Sequence, residues 1–453
     1  MSAPRLNPNI DTVFALSTPV GGAIAVLRAS GPLSRPVLSE IFTGGIAERQ
    51  LCHGRITDGE RTLDEAMAVF FPAPRSYTGE DMFELDLHGS YAVVEAVSEL
   101  LIRKGLRPAE PGEFTKRAFL NGKMDLVQAD AVMDLINAET RRSAAAAMDQ
   151  LKGGLSRRIG GIEDALIGFS AELSAAMDYP EEMEDEVIAS APSVLEPLIE
   201  KLDELIENGR SSRILRDGGK LVILGRPNAG KSSLMNALLS EDRAIVTEYA
   251  GTTRDILTEK LSLLGLPVCL VDTAGLREST DPVEAIGIRR ANTEAETAEC
   301  VLLVFDGAQY RESIEPDDAA LIEKTADRPV IFVINKYDLS AENAAGMQKA
   351  LALLNAAPSV TVSCKTGEGL DRLRRLAAAA MGAGEERPIV TNARHIERLS
   401  AARAELFEAL SVSEPDLVSE LITSALSALS EITGREFSEE LLDMIFSRFC
   451  VGK

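Results

Sequence analysis

The chain has no tryptophan and only six tyrosines, and aromatic residues make up 4% of its 453 residues. A core with so few aromatic rings has to be aliphatic, which favours helices rich in Ala and Leu. The five cysteines show no paired spacing and there are only three histidines, which excludes the usual zinc-ligand patterns and indicates a reducing, cytoplasmic location. No stretch reaches the ~20 uninterrupted apolar residues that a membrane helix requires.

Positive charge is also scarce: 47 Lys and Arg face 71 Asp and Glu, which gives a formal net charge of −24. This balance argues against a broad basic surface that holds nucleic acid unaided, so a role with RNA needs a local patch or a partner. The apolar run from Val13 to Leu27 follows Asp11 and is interrupted by Pro19 and Gly21-Gly22. It predicts a pair of strands and not a signal peptide.

The pattern along the chain predicts a multidomain protein, since 453 residues exceed one ordinary core and suggest roughly two to four domains. Residues 1–119 mix short β-type runs with turn signals and one helix after Ser90, which predicts an α+β domain. Helical spacing dominates residues 120–216 and returns over 384–453. At 217–383 buried strands alternate with helices, as in α/β domains with a parallel sheet.

The simplest architecture is an insertion, in which two helical segments form one bundle and the α/β domain interrupts them in the chain. We expect a mainly parallel sheet of six strands in the inserted domain. An acidic run from Glu181 to Glu186 follows Tyr179-Pro180, and we predict that it is a solvated loop that interrupts the helical series.

A phosphate-binding loop follows the first buried strand of the α/β region. The segment Gly225-Arg-Pro-Asn-Ala-Gly-Lys-Ser232 comes directly after the apolar run 221–224 and before an apolar helix, which is the context that a P-loop requires. Its backbone N–H groups can cradle phosphates at the N-terminus of the helix. We expect Lys231 to reach the β- and γ-phosphates and the Ser232 hydroxyl to bind Mg²⁺.

Further elements of a GTPase follow in the expected order. Thr253, in Gly251-Thr-Thr-Arg-Asp255, can complete the Mg²⁺ shell. Asp272, in Asp272-Thr-Ala-Gly275, can hold the ion through water, while the Gly275 N–H contacts the γ-phosphate. The order and spacing of these elements predict that GTP is hydrolysed.

Guanine is selected by Asn335-Lys336-Tyr337-Asp338 and by Ser363-Cys-Lys-Thr-Gly367. The Asp338 carboxylate can accept from both N1–H and the 2-amino group of guanine, whereas adenine offers no such pair of donors. A backbone N–H of the second segment can bind the guanine O6. We therefore predict GTP and not ATP as the substrate.

The group that orients the attacking water is unusual. Many small GTPases place a Gln directly after the Asp-x-x-Gly element, but Leu276 occupies that position here. Glu278 and Glu284 are candidate replacements, and Arg254 can stabilise charge in cis. Each of the three is also compatible with a solvated charge on a loop.

Four motifs outside the nucleotide-binding segments extend the comparison. They are Tyr77-Thr-Gly-Glu-Asp81, Pro111-Gly-Glu-Phe114, Ala118-Phe-Leu-Asn121 and Phe449-Cys-Val-Gly-Lys453. With the P-loop, Gly251–Asp255 and Asp272–Arg277, they make the chain similar from end to end to the MnmE (TrmE) family, the bacterial GTPases that modify the wobble uridine of tRNA.

The resemblance implies an N-terminal domain that dimerises and binds a tetrahydrofolate derivative, 5-formyl- or methylene-tetrahydrofolate, as a one-carbon donor. Matching motifs place the folate contacts at Arg28, Glu84, Lys123 and Lys453, although from the residues alone each is a surface charge or an ion-pair member. The resemblance also implies a hetero-oligomer with the FAD-dependent partner MnmG (GidA), with tRNA as the substrate of the complex and a helical domain built from both flanks of the GTPase domain.

The resemblance also accounts for the missing Gln, because the GTPase domains of this family dimerise across the nucleotide with K⁺ in place of an arginine finger. Asn228 matches the K⁺ ligand of the P-loop, and the loop that holds Thr247, Tyr249 and Thr252 supplies the other ligands. Glu284 matches the residue that positions the water. Cys450 matches a family cysteine, a candidate residue for the modification, although from sequence a buried small hydrophobe is the plainer interpretation.

The predicted sites are therefore as follows. Catalytic roles fall to Lys231, Arg254 and Glu284, and Mg²⁺ to Ser232, Thr253 and, through water, Asp272. The predicted GTP-binding residues are Asn228, Ala229, Gly230, Lys231, Ser232, Ser233, Thr247, Glu248, Tyr249, Ala250, Gly251, Thr252, Thr253, Asp272, Thr273, Ala274, Gly275, Asn335, Lys336, Asp338, Ser363, Cys364 and Lys365. The alternative function is a ribosome-assembly or regulatory GTPase without folate chemistry, whose relatives carry a compact basic RNA module that is not visible here.

Overall fold

The computed structural model describes residues 11–178, 180–242, 258–272, 297–310, 313–382 and 392–452. The chain divides into two compact units, one formed by Met1–Met133 with Leu429–Lys453 and the other by Asp134–Ala428. Within the described ranges, no helix combines the length and apolarity needed to cross a membrane.

The first unit is built on a six-stranded sheet. Its strands are β1 (Val13–Leu16), β2 (Ile24–Ser30), β3 (Cys52–Asp58), β4 (Arg61–Phe71), β5 (Met82–His88) and β6 (Arg107–Pro108). Their order is β3-β4-β5-β2-β1-β6, and all neighbours are antiparallel except β1 and β6. The predicted strand pair between Val13 and Leu27 is present as β1 and β2.

Three helices follow the strands of this unit: α1 (Ser34–Ile41), α2 (Tyr91–Arg103) and α3 (Glu113–Leu120). Ser90 caps α2 by accepting a hydrogen bond from the Val93 N–H, as its residue type favours at an N-cap. Leu38 and Leu101 pack from the helices against sheet residues in one apolar cluster. The predicted mixture of strands and helices in this part of the chain is confirmed.

Four helices come next, and they are α4 (Leu126–Ile136), α5 (Arg141–Leu151), α6 (Gly154–Asp178) and α7 (Pro180–Asp217). The predicted loop over residues 181–186 is wrong, because α7 already begins at Pro180. A proline in the first turn loses no helical hydrogen bond and its fixed φ suits the helix, so it begins this helix and does not interrupt one.

The second unit contains the predicted α/β sheet. Its strands are β7 (Gly219–Gly225), β8 (Thr258–Leu263), β9 (Leu266–Asp272), β10 (Cys300–Asp306), β11 (Val330–Asn335) and β12 (Ser359–Thr361). Their order is β12-β11-β10-β7-β9-β8, and only β8 runs antiparallel to its neighbour. The mainly parallel six-stranded sheet is confirmed.

Helices cover both faces of this sheet, and those described are α8 (Lys231–Asp242), α9 (Pro316–Lys324), α10 (Ala341–Leu354) and α11 (Leu370–Ala380). Leu302 and Ile331 face one apolar cluster, whereas Leu303 and Phe332 face another. Neighbouring residues of one strand are therefore all buried, which explains the continuous hydrophobic runs in the sequence.

The chain continues in three helices, α12 (Ala393–Ala409), α13 (Pro415–Thr433) and α14 (Glu439–Phe446). Helix α12 packs along α7, and Arg403 Nε donates to Asp203 Oδ1 at 2.8 Å. Helical segments before and after the α/β sheet thus contact each other, as an insertion requires. The domain boundaries at 119, 216 and 383 stay a prediction.

Candidate functional site

The P-loop connects β7 to α8 at the carboxyl end of the parallel sheet. Asn228 and Gly230 have left-handed backbone, with φ of 63° and 98°. Asn tolerates this conformation better than most residues, whereas Gly230 has a second constraint. A Cβ there would lie 2.1 Å from Nδ2 of Asn335, and a Cβ at Gly225 would lie 2.3 Å from the carbonyl oxygen of Val304. The glycines of the motif are therefore required by close approaches from β10 and β11.

Lys231 lies over this loop. Its Nζ donates to the carbonyl oxygens of Gly225 and Arg226, both at 2.9 Å. Ser232 and Ser233 are exposed in the first turn of α8, where the dipole of the helix favours an anion. The loop therefore offers an ammonium, backbone donors and hydroxyls within one short segment, as a phosphate site needs.

Asn335, at the end of β11, joins two parts of the predicted site. Its side chain is buried, and Nδ2 donates to the carbonyl oxygen of Ala229 at 3.1 Å. Its Oδ1 accepts from the Cys364 N–H at 3.4 Å. One amide thus holds the P-loop and the predicted guanine loop together.

Lys336 follows with left-handed backbone, φ 62°. Its Nζ donates to the carbonyl oxygen of Asn228 at 2.8 Å and to Asp306 Oδ2 at 2.6 Å. Asp306 was not predicted from the sequence. A carboxylate at the carboxyl end of β10, directly beside the strand that ends in Asn335, is the signal that could have found it.

The Ser363 hydroxyl donates to Oδ1 of Asp338 at 2.7 Å and accepts from the Thr366 N–H at 3.2 Å. Ser363 is buried, whereas Asp338 and Lys365 are exposed. Burial, and then the charge of Asp338, raise the pKa of the neighbouring Cys364 thiol to about 11. The two predicted guanine elements therefore lie side by side, with the carboxylate held by a hydroxyl.

Other predicted nucleotide and ion contacts lie outside the described residues. They are Thr247, Glu248, Tyr249, Ala250, Gly251, Thr252, Thr253, Arg254, Thr273, Ala274, Gly275 and Glu284. The backbone of Asp272 pairs with Ile223 of β7, which places it beside the strand that leads into the P-loop. Across the described ranges, no three His, Cys, Asp or Glu side chains gather as a ready metal cluster.

In the first unit, Arg28 and Glu84 are cross-strand partners on β2 and β5, and Arg28 Nη2 donates to Glu84 Oε1 at 2.8 Å. Arg28 Nη1 donates to the carbonyl oxygen of Gly452 at 3.3 Å. The guanidinium also lies 6.0 Å from the Tyr77 ring centre and 5.7 Å from that of Phe114, within reach of cation–π attraction. Its Nε is buried without a hydrogen-bond partner, so the group still has a donor to offer.

Lys123 follows the Ala118–Asn121 motif in the sequence. Its side chain is exposed, and its Nζ donates to the carbonyl oxygen of Pro74 at 2.9 Å. Asn121 Nδ2 donates to the carbonyl oxygen of Thr78 at 2.8 Å. The Thr78 hydroxyl in turn is 2.7 Å from that of Ser30. The Tyr77–Asp81 and Ala118–Asn121 motifs thus contact each other in the structure.

The chain after α14 lies against the start of this sheet. Gly452 has φ 94°, and a Cβ there would lie 2.5 Å from the carbonyl oxygen of Leu16. Lys453 lies outside the described residues. Cys450 is exposed, so its interpretation as a buried hydrophobe is wrong, and its carbonyl oxygen accepts from the Gly112 N–H at 3.3 Å. Three of the four predicted folate residues are thus described, and two of them form an ion pair beside this segment.

An ionic cluster supports the same unit. Arg117 is buried, and its guanidinium contacts Glu80, Glu113 and Asp11 at 3.1, 2.9 and 2.9 Å. Burial raises the pKa of the Glu113 carboxyl, but hydrogen bonds from Arg107, a backbone N–H and Arg117 outweigh it, so the pKa lies below its ordinary value. The pKa of Asp11 is lowered in the same way, because Arg107 and Arg117 outweigh its desolvation.

Two protein-family models match the chain. The family model described as "MnmE helical domain" matches residues 126–450. The family model described as "GTP-binding protein TrmE N-terminus" matches residues 12–123. The G domain of the Thermotoga maritima FeoB iron transporter is 28% identical, covering 36% of this chain and 98% of that chain, with a TM-score of 0.26, too low to support an argument.

Full-length relatives are much more informative. The tRNA modification GTPase MnmE of Natranaerobius thermophilus is 40% identical, over 98% of this chain and 99% of that protein. The proteins of the same name from Bacillus subtilis and Thermotoga maritima are 38% and 40% identical, over 98% of this chain and 100% of each of theirs. The chain therefore belongs to the MnmE (TrmE) family of GTP hydrolases.

Proposed function

We propose that this GTPase takes part, in the cytoplasm, in adding an aminomethyl or carboxymethylaminomethyl group to carbon five of the wobble uridine of certain tRNAs. GTP would bind between the P-loop and the two predicted guanine segments, which begin at Asn335 and Ser363. The observation that carries this placement is the side-chain amide of Asn335, which bonds to Ala229 of the P-loop and to Cys364 of the second guanine segment. The relatives at about 40% identity, which are named for tRNA modification, support the choice of substrate.

A strain that lacks its own gene for this function tests the tRNA assignment. Wild-type protein is expected to restore the modified nucleoside, measured by mass spectrometry of digested tRNA, whereas Lys231→Ala should fail, because Lys231 is the cation of the P-loop. Normal modification in the deletion strain without any added gene would overturn the assignment.

We further propose that Mg²⁺ and K⁺ assist hydrolysis. Ser232, Thr253 and, through water, Asp272 would hold Mg²⁺. The Ser232 hydroxyl fits this role because it is an oxygen ligand beside the N–H groups at the start of α8, which would hold the phosphates. Asn228, Thr247, Tyr249 and Thr252 would hold K⁺. Bound there, the cations would neutralise negative charge on the phosphates, in the place of an arginine finger.

The K⁺ proposal is tested by comparing hydrolysis in KCl and NaCl at equal ionic strength. We expect at least tenfold faster turnover in KCl, since removing a group that stabilises transition-state charge costs a factor of this order or more. Equal rates in both salts contradict it. Glu284→Ala tests the water-positioning role separately, and full activity of that variant would reject Glu284.

We also propose that the first unit binds a tetrahydrofolate derivative and forms the homodimer. Arg28, Glu84, Lys123 and Lys453 would hold the folate. The buried, unpartnered Nε of Arg28 fits a polar ligand, because buried donors usually find a partner. Bound there, the folate would supply the carbon of the added group.

Titration calorimetry with 5-formyl-tetrahydrofolate tests this site. Wild type should bind, Arg28→Met should lose most of the heat, and Arg103→Met, which removes an exposed ion pair with Asp58 in the same unit, should bind as wild type. Absence of binding by the wild type would favour the alternative, a ribosome-assembly or regulatory GTPase. Co-purification with the flavin-dependent partner MnmG tests the proposed hetero-oligomer.

A further inference from the structure

An aspartate outside the recognised GTPase motifs contacts one of them. Asp306 ends β10, and its Oδ2 accepts a 2.6 Å hydrogen bond from Lys336 Nζ at the end of the neighbouring strand. The same ammonium donates to the carbonyl oxygen of Asn228 in the P-loop at 2.8 Å. Three separate segments of the chain thus meet on one nitrogen atom.

The carboxylate of Asp306 is fixed on both oxygens. While Oδ2 binds the ammonium, Oδ1 accepts from the Ala308 N–H at 3.1 Å and caps the short turn that follows the strand. The side chain of Asp306 is 13% exposed and that of Lys336 is 29% exposed. This is a half-buried, charge-assisted contact with a defined direction, unlike the exposed ion pairs on the surface of the unit.

The position of the ammonium matters because a lysine side chain is flexible and carries its charge on a single point. Without a fixed anion, the Lys336 ammonium could leave the Asn228 carbonyl for solvent. Asn228 holds an unfavourable left-handed backbone, φ 63°, in the middle of the P-loop. Such a conformation persists only where surrounding contacts hold it.

We propose that Asp306 is a positioning residue for nucleotide binding: it holds Lys336 against the Asn228 carbonyl and thereby keeps the P-loop in its binding shape. This inference rests on the proposed placement of GTP at this loop. In this role Asp306 acts only through Lys336.

The decisive variant is Asp306→Asn, which keeps the size of the side chain and an oxygen that can accept from Ala308. It removes the negative charge and turns an amide toward the ammonium. We expect the Kd for fluorescent GDP to rise about tenfold, as for loss of one hydrogen bond to a charged group. The control is Asp371→Asn, which removes an exposed carboxylate paired with Arg374 on α11, and should stay within twofold of wild type.

A double-mutant cycle separates positioning from general destabilisation. In a Lys336→Met background, Asp306→Asn should change the Kd for GDP less than twofold, because the group it positions is gone. Melting temperatures without nucleotide should stay within a few degrees of wild type. Independent, multiplying effects of the two substitutions overturn the inference, as does a wild-type Kd in Asp306→Asn.

Two further outcomes have defined meanings. If the Asn variant does not fold, Asp306→Glu, which keeps the charge, should bind GDP more tightly than Asp306→Gln, and equal affinities would reject the role. If the wild type binds GDP but is insensitive to substitution of both Lys231 and Asp306, the proposed placement of the nucleotide fails first.

Discussion

The Ser363 hydroxyl donates a 2.7 Å hydrogen bond to Oδ1 of Asp338, across the two segments predicted to read guanine. The buried Ser363 hydroxyl therefore orients the carboxylate of Asp338, which is itself exposed. We expect Ser363→Ala to weaken the binding of GDP and GTP about tenfold, because a hydrogen bond to a charged group contributes about 1.5–3 kcal/mol. Fluorescent GDP titration measures this, with Ser411→Ala, on an exposed serine after α12, as the control.

Asp338→Asn changes the reading of the base itself. The amide can no longer accept from both N1–H and the 2-amino group of guanine, but it can donate to the extra carbonyl of xanthine. We expect GTP affinity to fall about a hundredfold and XTP to become the better ligand, since an unpaired polar group in a base site costs this much or more. Competition of XTP and GTP against a labelled nucleotide measures the switch, and unchanged preference for GTP contradicts the role of Asp338.

Gly230→Ala should weaken nucleotide binding strongly. The added methyl carbon would lie 2.1 Å from Nδ2 of Asn335, and the backbone is left-handed at φ 98°. Either Asn335 leaves Ala229 and Cys364 or the P-loop moves, and both change the site. We expect at least a hundredfold loss of GDP affinity.

The matched control for that substitution is Gly161→Ala. Gly161 lies within α6, and a Cβ there meets no atom within 4 Å. Alanine in a helix interior is better than glycine by roughly 1 kcal/mol, so this variant should bind GDP normally and melt at an equal or higher temperature. Equal loss of binding in both variants would show that the close approach at Gly230 is not the cause.

We expect acid to lower the stability of the first unit. The pKa of Glu113 lies below its ordinary value of 4.5 in the folded protein. A lowered folded pKa contributes stability above the unfolded value, and that stability is lost as the pH falls through the folded pKa. We therefore expect constant protection of residues 11–123 at pH 6–8 and a decline below about pH 4.5.

Hydrogen exchange after incubation at each pH, with labelling at one fixed pH, measures this decline.

Arg117→Met should lower the free energy of unfolding at pH 7 by about 3 kcal/mol, because it breaks a buried ionic cluster. The variant should also lose much of the pH dependence, whereas Arg103→Met, at an exposed ion pair, should keep it. A pH dependence that is unchanged in Arg117→Met would contradict the assignment.

Local patterns carried most of what could be predicted from the sequence. The strands β7, β10 and β11 are continuous apolar runs because both faces of the sheet are covered, and such runs are visible without a structure. The P-loop and the guanine elements are short segments whose residue types suit their own backbone. Lys231, Asn335 and Asp338 could therefore be placed at one end of one sheet.

Contacts between distant segments could not be predicted in this way. Asp306 carries no motif, and it becomes significant only because β10 and β11 are neighbours with ends in register. The carbonyl of Gly452 meets Arg28 across 424 positions of the chain, a pairing that no local pattern contains. The start of α7 at Pro180 could not be predicted because the acidic run from Glu181 to Glu186 is typical of a solvated loop, although proline suits the first turn of a helix.

The division of the first unit between Met1–Met133 and Leu429–Lys453 has a consequence for synthesis on the ribosome. Phe119 and Leu126 pack with Phe446 and Phe449, but roughly 300 residues are translated between the two pairs. At roughly 5–20 residues per second, the earlier apolar residues wait on the order of 15–60 s for their partners. During that interval they are an exposed surface for chaperones. The contact between the Arg28 guanidinium and the Gly452 carbonyl oxygen forms only after the whole α/β sheet has been translated.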